Sequence, residues 1–164
     1  MRIGILSDTH NQLERTRRAV ESMIREGAEV LIHCGDLPQS EIVGVCSVKP
    51  CYFVFGNHDS DNVPALLRAA KEFGAVCLEW GGVIELGGKR VGVTHGHMRI
   101  DMKRVLAEQP DYLLFGHSHI ADDCRDGTIR RINPGALHCA EEFTVAVLDL
   151  ESDELRFIGV EPRD

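Results

Sequence analysis

No apolar stretch in this 164-residue chain approaches the ~20 residues that a membrane-spanning helix needs, so a helical membrane protein is excluded. Its start, Met1-Arg2-Ile3-Gly4-Ile5-Leu6-Ser7-Asp8, turns polar too early for a signal peptide, and a cytoplasmic location is the expectation. The six cysteines (Cys34, Cys46, Cys51, Cys77, Cys124 and Cys139) form no CxxC pair and show no compact spacing. That argues against both a disulfide framework and a zinc knuckle. Four of them lie in or beside apolar runs and read as buried thiols serving as small hydrophobes. A basic excess is also missing. The net charge of −8 repels nucleic acid, and neither a nucleic-acid nor a membrane partner is expected. Arg15, Arg17 and Arg18 are interleaved with acids and read as a solvated helix face. With no linker, low-complexity tract or long-period repeat, residues 1–164 are expected to form one domain.

What is present is ordinary in bulk, with 43% apolar and 27% charged residues, and distinctive in pattern. Residues 2–7 are apolar enough for a strand buried on both faces. Asn11 with Glu14 resembles a capping box opening a helix that carries Leu13, Ala19, Val20, Met23 and Ile24 and stops at Gly27. A strand over 30–33, a weak helix over 39–46, a strand over 51–55 and a helix over 64–73 follow. The second half reads as a hairpin around Gly87-Gly88, a helix over 99–108, a strand over 112–115 and a hairpin at Asp126-Gly127. A turn at Asn133-Pro134-Gly135 precedes a final antiparallel pair over 143–150 and 155–160. This α/β order predicts two mixed sheets packed face to face with helices outside, a four-layer αββα sandwich, rather than one doubly wound sheet.

Five short polar strings each follow an apolar strand: Asp8-Thr9-His10, Gly35-Asp36, Gly56-Asn57-His58-Asp59, His95-Gly96-His97 and Gly116-His117-Ser118-His119. Six of the eight histidines lie in them. Strand ends of an α/β sheet converge on one crevice, and a mixture of imidazole and carboxylate suits a divalent ion of borderline hardness. In Asp8-x-His10 and His117-x-His119, alternation along the strand lets both side chains grip one ion. Asp36 is the natural bridge between two cations, Asn57 offers an amide oxygen, and the glycines at 35, 56 and 116 let the backbone turn sharply. The remaining histidines carry less signal. His33 lies within a buried strand and reads as a satisfied core residue, while His138 follows a turn and has no spacing pattern. Asn133 reads as serving its turn, and Arg99 and Lys103 as solvated helix positions.

The ordered series DxH, GD, GNHD, HGH and GHSH resembles the calcineurin-like metallophosphoesterase superfamily. The short length, Thr94 to His97 and the Asn133-Pro134-Gly135 turn resemble its small phosphodiesterase subfamily, which is related to Vps29. The resemblance spans about residues 1–137. It implies that Asp8, His10, Asp36 and His119 hold one divalent metal and Asp36, Asn57, His95 and His117 a second, with Mn2+ the first choice and Fe, Ni, Co or Zn compatible. It further implies that His58 is a non-ligand that assists the leaving group, that Asp59 orients His58, and that His97 lies near the metals as a substrate contact. The implied reaction is hydrolysis of small phosphate esters, diesters above monoesters, by in-line attack of a metal-bridging hydroxide. Two divalent ions against Asp8, Asp36 and one hydroxide leave such a site net positive, which attracts an anionic ester. Homodimers or homotetramers are common among small relatives. The competing reading is a Vps29-like interaction module without catalysis. Scaffold-type relatives replace ligands or the acid histidine, whereas His10, Asp36, Asn57, His58 and His119 are all intact here.

Overall fold

A computed structural model describes residues 1–161. Its first sheet has six strands: β1 (Arg2–Leu6), β2 (Val30–His33), β3 (Cys51–Phe53), β4 (Val76–Cys77), β10 (Thr144–Asp149) and β11 (Leu155–Gly159). Their spatial order is β11-β10-β1-β2-β3-β4, with β1 to β4 parallel and the terminal hairpin antiparallel beside β1. The second sheet contains β5 (Gly81–Leu86), β6 (Lys89–Thr94), β7 (Tyr112–Leu114), β8 (Asp122–Asp126) and β9 (Ile129–Asn133), in the order β5-β6-β7-β9-β8. Here β6, β7 and β9 run parallel.

Alternation along the strands divides the apolar side chains between two cores. Ile3, Ile5, Ile32, Ala146 and Leu148 point toward the second sheet and meet Val91, Val93, Leu114 and Ile132. Leu6, Leu31, Phe53, Val145 and Val147 point the other way, onto α1 (Leu13–Arg25), α2 (Glu41–Cys46) and α3 (Val63–Phe73). The fourth helix, α4 (Arg99–Ala107), packs on β5 and β6. The four-layer αββα arrangement is therefore the expected one. Gly4 shows how closely the outer face is packed, since a Cβ there would sit 2.6 Å from a Leu31 methyl and 2.9 Å from the Met23 sulfur.

Several local expectations change. Helix α1 begins at Leu13 with Gln12 as its cap and no side-chain capping bond, so the Asn11–Glu14 box does not form. Its first turn is instead fixed by the Thr16 amide and hydroxyl, both donating to the Gln12 carbonyl. Gly27 takes the left-handed conformation just past the helix end, as a stop requires. The two-residue strand β4 had no sequence counterpart. Arg15 is not simply solvated: its guanidinium donates to the Leu137 carbonyl and lies 3.7 Å from the Phe143 ring centroid. Cys34, Cys46 and Cys51 are buried, Cys77 is half-buried, and Cys124 and Cys139 are exposed. Among the described residues no helix is long and apolar enough to cross a membrane.

His33 is a core histidine, fully buried at the end of β2. The Gly35 amide donates to its Nδ1 at 3.1 Å, so the proton sits on Nε2, which is 2.9 Å from the Thr9 hydroxyl. Burial drives its pKa down to about 3, helped by the neighbouring His95. In the unfolded chain the same group binds a proton near about 6.5. The unfolded state therefore binds more protons below that pH, and stability is expected to fall from about pH 6.5 toward pH 3, by up to ~1.4 kcal/mol per pH unit. Urea unfolding of chelator-treated protein should show about 2 kcal/mol less stability from this group at pH 5 than at pH 7. That difference should shrink in His33→Gln; an undiminished difference would assign the pH dependence to other groups.

Candidate metal centre

All five polar strings lie at the carboxyl ends of parallel strands, β1, β2 and β3 in one sheet and β6 and β7 in the other. The two sheets thus bring them to one edge of the sandwich. Local backbone geometry turns the side chains inward. Asp8 (φ 52°), His10 (φ 44°), Asp36 (φ 60°), His117 (φ 69°) and His119 (φ 61°) all occupy the left-handed region, which non-glycine residues rarely adopt. Such conformations concentrate at functional sites.

Asp8 and Asp36 are buried and divide their oxygens in the same way. The Oδ2 of Asp8 accepts from the Ser7 hydroxyl at 2.6 Å and the His117 amide at 3.1 Å. Its Oδ1 has no hydrogen-bond partner and faces His119 Nε2 at 3.1 Å and His95 Nε2 at 3.8 Å. The Oδ1 of Asp36 accepts from the His58 amide at 2.9 Å, while its Oδ2 lies 3.5 Å from His10 Nε2 and 3.3 Å from His95 Nε2. Two sets of donor atoms therefore close within 4.8 Å: Asp8 with His10 and His119, and Asp8 with Asp36 and His95.

The imidazoles are oriented from behind. Cys34's carbonyl lies 2.8 Å from His95 Nδ1, and Cys139's carbonyl 3.1 Å from His119 Nδ1. A carbonyl only accepts, so each Nδ1 carries the proton and each Nε2 turns a lone pair toward the carboxylates. Around His95 Nε2 the consequence is acute, because Asn57 Oδ1 is also only 3.1 Å away. Acceptors thus face acceptors across the centre, and a cation is what satisfies them. Without one, the protons must compensate. Burial opposes charging of His95, but the Asp36 hydrogen bond and the Asp8 and Asp36 charges raise its pKa. Burial likewise opposes ionisation of Asp36, yet His95, the His58 amide and His10 hold its carboxyl well below the usual range. The residues present fit divalent metal, with the unpartnered Asp8 Oδ1 and His10 Nε2 as the most direct sign.

The glycines contribute mainly by leaving room. Gly35 has φ +99°, as expected of a sharp turn, but Gly56 and Gly116 do not have positive φ. A Cβ on Gly56 would fall 2.2 Å from Asp36 Oδ1, and one on Gly116 1.9 Å from the Ser7 hydroxyl and 2.6 Å from Asp8 Oδ2. Those two positions let the loops approach the carboxylates.

A family model for the calcineurin-like phosphoesterase superfamily domain matches residues 1–153. The chain belongs to that superfamily. Membership identifies it as a metal-dependent hydrolase acting on ester bonds. It is 28% identical to a phosphodiesterase of Methanocaldococcus jannaschii over 98% of this chain and 100% of that protein. It is also 28% identical to phosphodiesterase YfcE of Escherichia coli strain K12, over 84% of this chain and 79% of that protein. Among solved structures, an archaeal phosphodiesterase superimposes with a TM-score of 0.87 at 26% identity, covering 97% of this chain and 99% of that one. Wild-type Vps29 of Entamoeba histolytica, solved with zinc, gives a TM-score of 0.62 at 15% identity over 98% of this chain and 100% of that one. That last likeness shows the shared fold alone.

Within this superfamily member, the remaining histidines take distinct places. His58 is exposed, with its ring 5.0 Å from that of His10. The His117 ring is 5.2 Å from that of His95, although His117 belongs to neither closed donor set. His97 lies 5.3 Å from His95 and 6.1 Å from His117, ring to ring, and its buried Nδ1 lacks a hydrogen-bond partner. Burial and those two imidazoles lower its pKa. His138, unmarked in the sequence, has its ring 4.6 Å from His10. No spacing signal could have found it, because only the return of the chain after the Asn133 turn brings it there. Asn133 serves more than its turn. It is buried, receives the Gly135 amide on Oδ1, and donates from Nδ2 to the Gly116 carbonyl and Ser118 hydroxyl, tying down the histidine loop.

Asp59 departs from expectation. Rather than contacting the His58 imidazole, its fully buried carboxylate accepts from the amides of Asp36 at 2.9 Å, Leu37 at 2.8 Å and Gly56 at 2.7 Å. Its influence on His58 runs through the backbone of the turn. Burial pushes its pKa up to about 6, against the pull of those three amides. Asp59→Asn would turn an NH2 group toward at least one amide N–H and leave buried donors unpaired. We expect a loss of about 2–3 kcal/mol in urea unfolding, with reduced metal retention. A variant of unchanged stability that was defective in turnover alone would restore a direct role on His58.

Proposed function

We propose that this protein is a two-metal phosphodiesterase that hydrolyses small phosphate esters by in-line attack of hydroxide. The observation that carries the reading is the Asp36 Oδ2 atom, which lies between His10 Nε2 at 3.5 Å and His95 Nε2 at 3.3 Å while its partner oxygen is engaged by backbone. A carboxylate so divided is suited to bridge two cations. In this reading Asp8, His10, Asp36 and His119 would hold one ion, and Asp36, Asn57, His95 and His117 the other, with Mn2+ the first choice. When bound, a pair of divalent ions supplies hydroxide near neutral pH and neutralises charge on the attacking and leaving oxygens.

The chain's own residues do the rest. His58 is exposed at the rim, outside both donor sets, and its backbone is pinned to Asp36. It is the proposed general acid, handing a proton to the departing alkoxide. Asp59 keeps the His58 turn in register with the Asp36 loop. His97, with its unpartnered Nδ1, is the proposed contact to a phosphate oxygen or ester arm. A Vps29-like scaffold role is disfavoured because His10, Asp36, Asn57, His58 and His119 are all intact in the chain.

Chelator-treated protein is expected to be inactive on bis(p-nitrophenyl) phosphate and to regain activity with Mn2+ or a related ion. Full activity after verified metal removal would overturn the mechanism, and faster turnover of p-nitrophenyl phosphate would make the enzyme a monoesterase instead. Two substitutions separate ligand from acid. Asp36→Ala should lose both metals, whereas His58→Ala should keep both and lose about 10²–10⁴-fold in turnover. Metal analysis of the purified variants decides: absence of metal in His58→Ala would make His58 a ligand.

A further inference from the structure

Beside the metal centre lies a cleft of about 490 Å³ that the chemistry above does not use. One wall follows His119 along the chain, through Ile120 and Ala121; the other is Cys139, Ala140, Glu141 and Glu142, the segment leading into β10. Its volume falls within the range of small-molecule sites, about 300–1,000 Å³. The cleft opens directly from the metal-centre histidine, because His119 both lines it and faces Asp8 Oδ1. Its walls are held in place, since the Cys139 carbonyl receives His119 Nδ1 and Thr144, at the base, donates to the Pro134 carbonyl. Ile120 is 68% exposed, a large apolar side chain presented at the cleft without protein cover.

We propose that this cleft receives one ester arm of the substrate and selects an arm that is apolar in body and cationic at its end, such as a quaternary or primary amino alcohol. The inference rests on the phosphodiesterase reading. An ester phosphoryl group seated at Asp8, Asp36 and their histidines must project its two arms away from the centre, and the space beside His119 is the cavity open to one of them. The methyl-bearing side chains Ile120, Ala121 and Ala140 suit the body of the arm. Glu141 and Glu142 give the same cavity two negative charges, and among the described residues neither forms an ion pair. A cationic terminus gains from them, whereas an arm carrying a further phosphate is repelled. The centre takes the anionic end of the ester and the cleft takes a cationic end, so specificity comes from a dipolar substrate.

The test uses two p-nitrophenyl phosphodiesters that differ only in charge: the choline ester and its carbon isostere, the 3,3-dimethylbutyl ester. Bis(p-nitrophenyl) phosphate serves as the reference, and all three are assayed with metal-saturated full-length protein. Exposed carboxylates contribute modestly, so the expected preference for the choline ester in kcat/KM is about 3- to 10-fold, largest at low salt. In Glu141→Gln/Glu142→Gln the preference should disappear, the choline ester and its isostere reaching equal kcat/KM. Equal kcat/KM for the two isosteres, or a preference that survives the double substitution, overturns the cleft assignment and leaves the phosphodiesterase reading intact. Absence of turnover on all three esters overturns both.

Discussion

The site depends on carboxylates that each serve two masters. One oxygen of Asp8 and one of Asp36 accept from the backbone of a neighbouring loop, and Asp59 gives both of its oxygens to such amides. The bonds cross between elements. Asp8 after β1 holds the His117 amide after β7, and so joins the two sheets at their carboxyl edge. Asp36 after β2 and Asp59 after β3 hold each other's loops reciprocally. What remains for a cation, Asp8 Oδ1 and Asp36 Oδ2, is positioned by what the other oxygen has already fixed. The same atoms that build the scaffold's edge therefore define the donor set.

Such bracing is needed because the loops are not relaxed. Five residues of the candidate site have left-handed backbone, at a cost of order 1–3 kcal/mol each and toward the low end for Asp. Together that is comparable with the net stability of a whole domain, about 5–15 kcal/mol. Charge-assisted hydrogen bonds to buried carboxylates are worth about 1.5–3 kcal/mol, enough to offset it locally. This also explains why glycine stands at 56 and 116 without needing positive φ. The amides must come within bonding distance of Asp36 and Asp8, and the space a Cβ would take is occupied by those carboxylates.

The fold and the convergence of Asp8, His10, Asp36, His95 and His119 were largely legible in the sequence because both are written in contiguous patterns. Buried strands such as β1 and β2 are short apolar runs, and each polar string follows one directly, so the ends of parallel strands could be read as one crevice. What escaped depends on contacts between distant segments. The three donors to Asp59 come from Asp36, Leu37 and Gly56, and nothing within Gly-Asn-His-Asp says that the aspartate turns toward them rather than toward His58. His138 and the anchoring of Arg15 on the Leu137 carbonyl both follow from the return of the chain across α1. β4 is two residues long and has no periodicity to detect. The Asn11 capping box failed for a related reason. The left-handed His10 and the Thr9 hydroxyl are committed to the Asp36 loop, so the chain enters α1 one residue later than local propensity suggests.

The acidity of the chain and its affinity for an anionic ester are reconciled by the order in which charges assemble. Asp8 and Asp36 are buried with their free oxygens converging, and among the described residues no lysine or arginine forms an ion pair with either. Only histidines do, and of these His95 is drawn toward its protonated form by the two carboxylates. A protein of net charge −8 repels an anionic ester at long range, and two buried carboxylates oppose it locally. In the two-metal reading, bound cations change the sign of the field only locally, within roughly a Debye length of about 8 Å at physiological ionic strength. Beyond that distance the surface keeps its negative charge. An ester held by its phosphoryl group at the centre is thus drawn in by a local field that acts against the net charge of the chain.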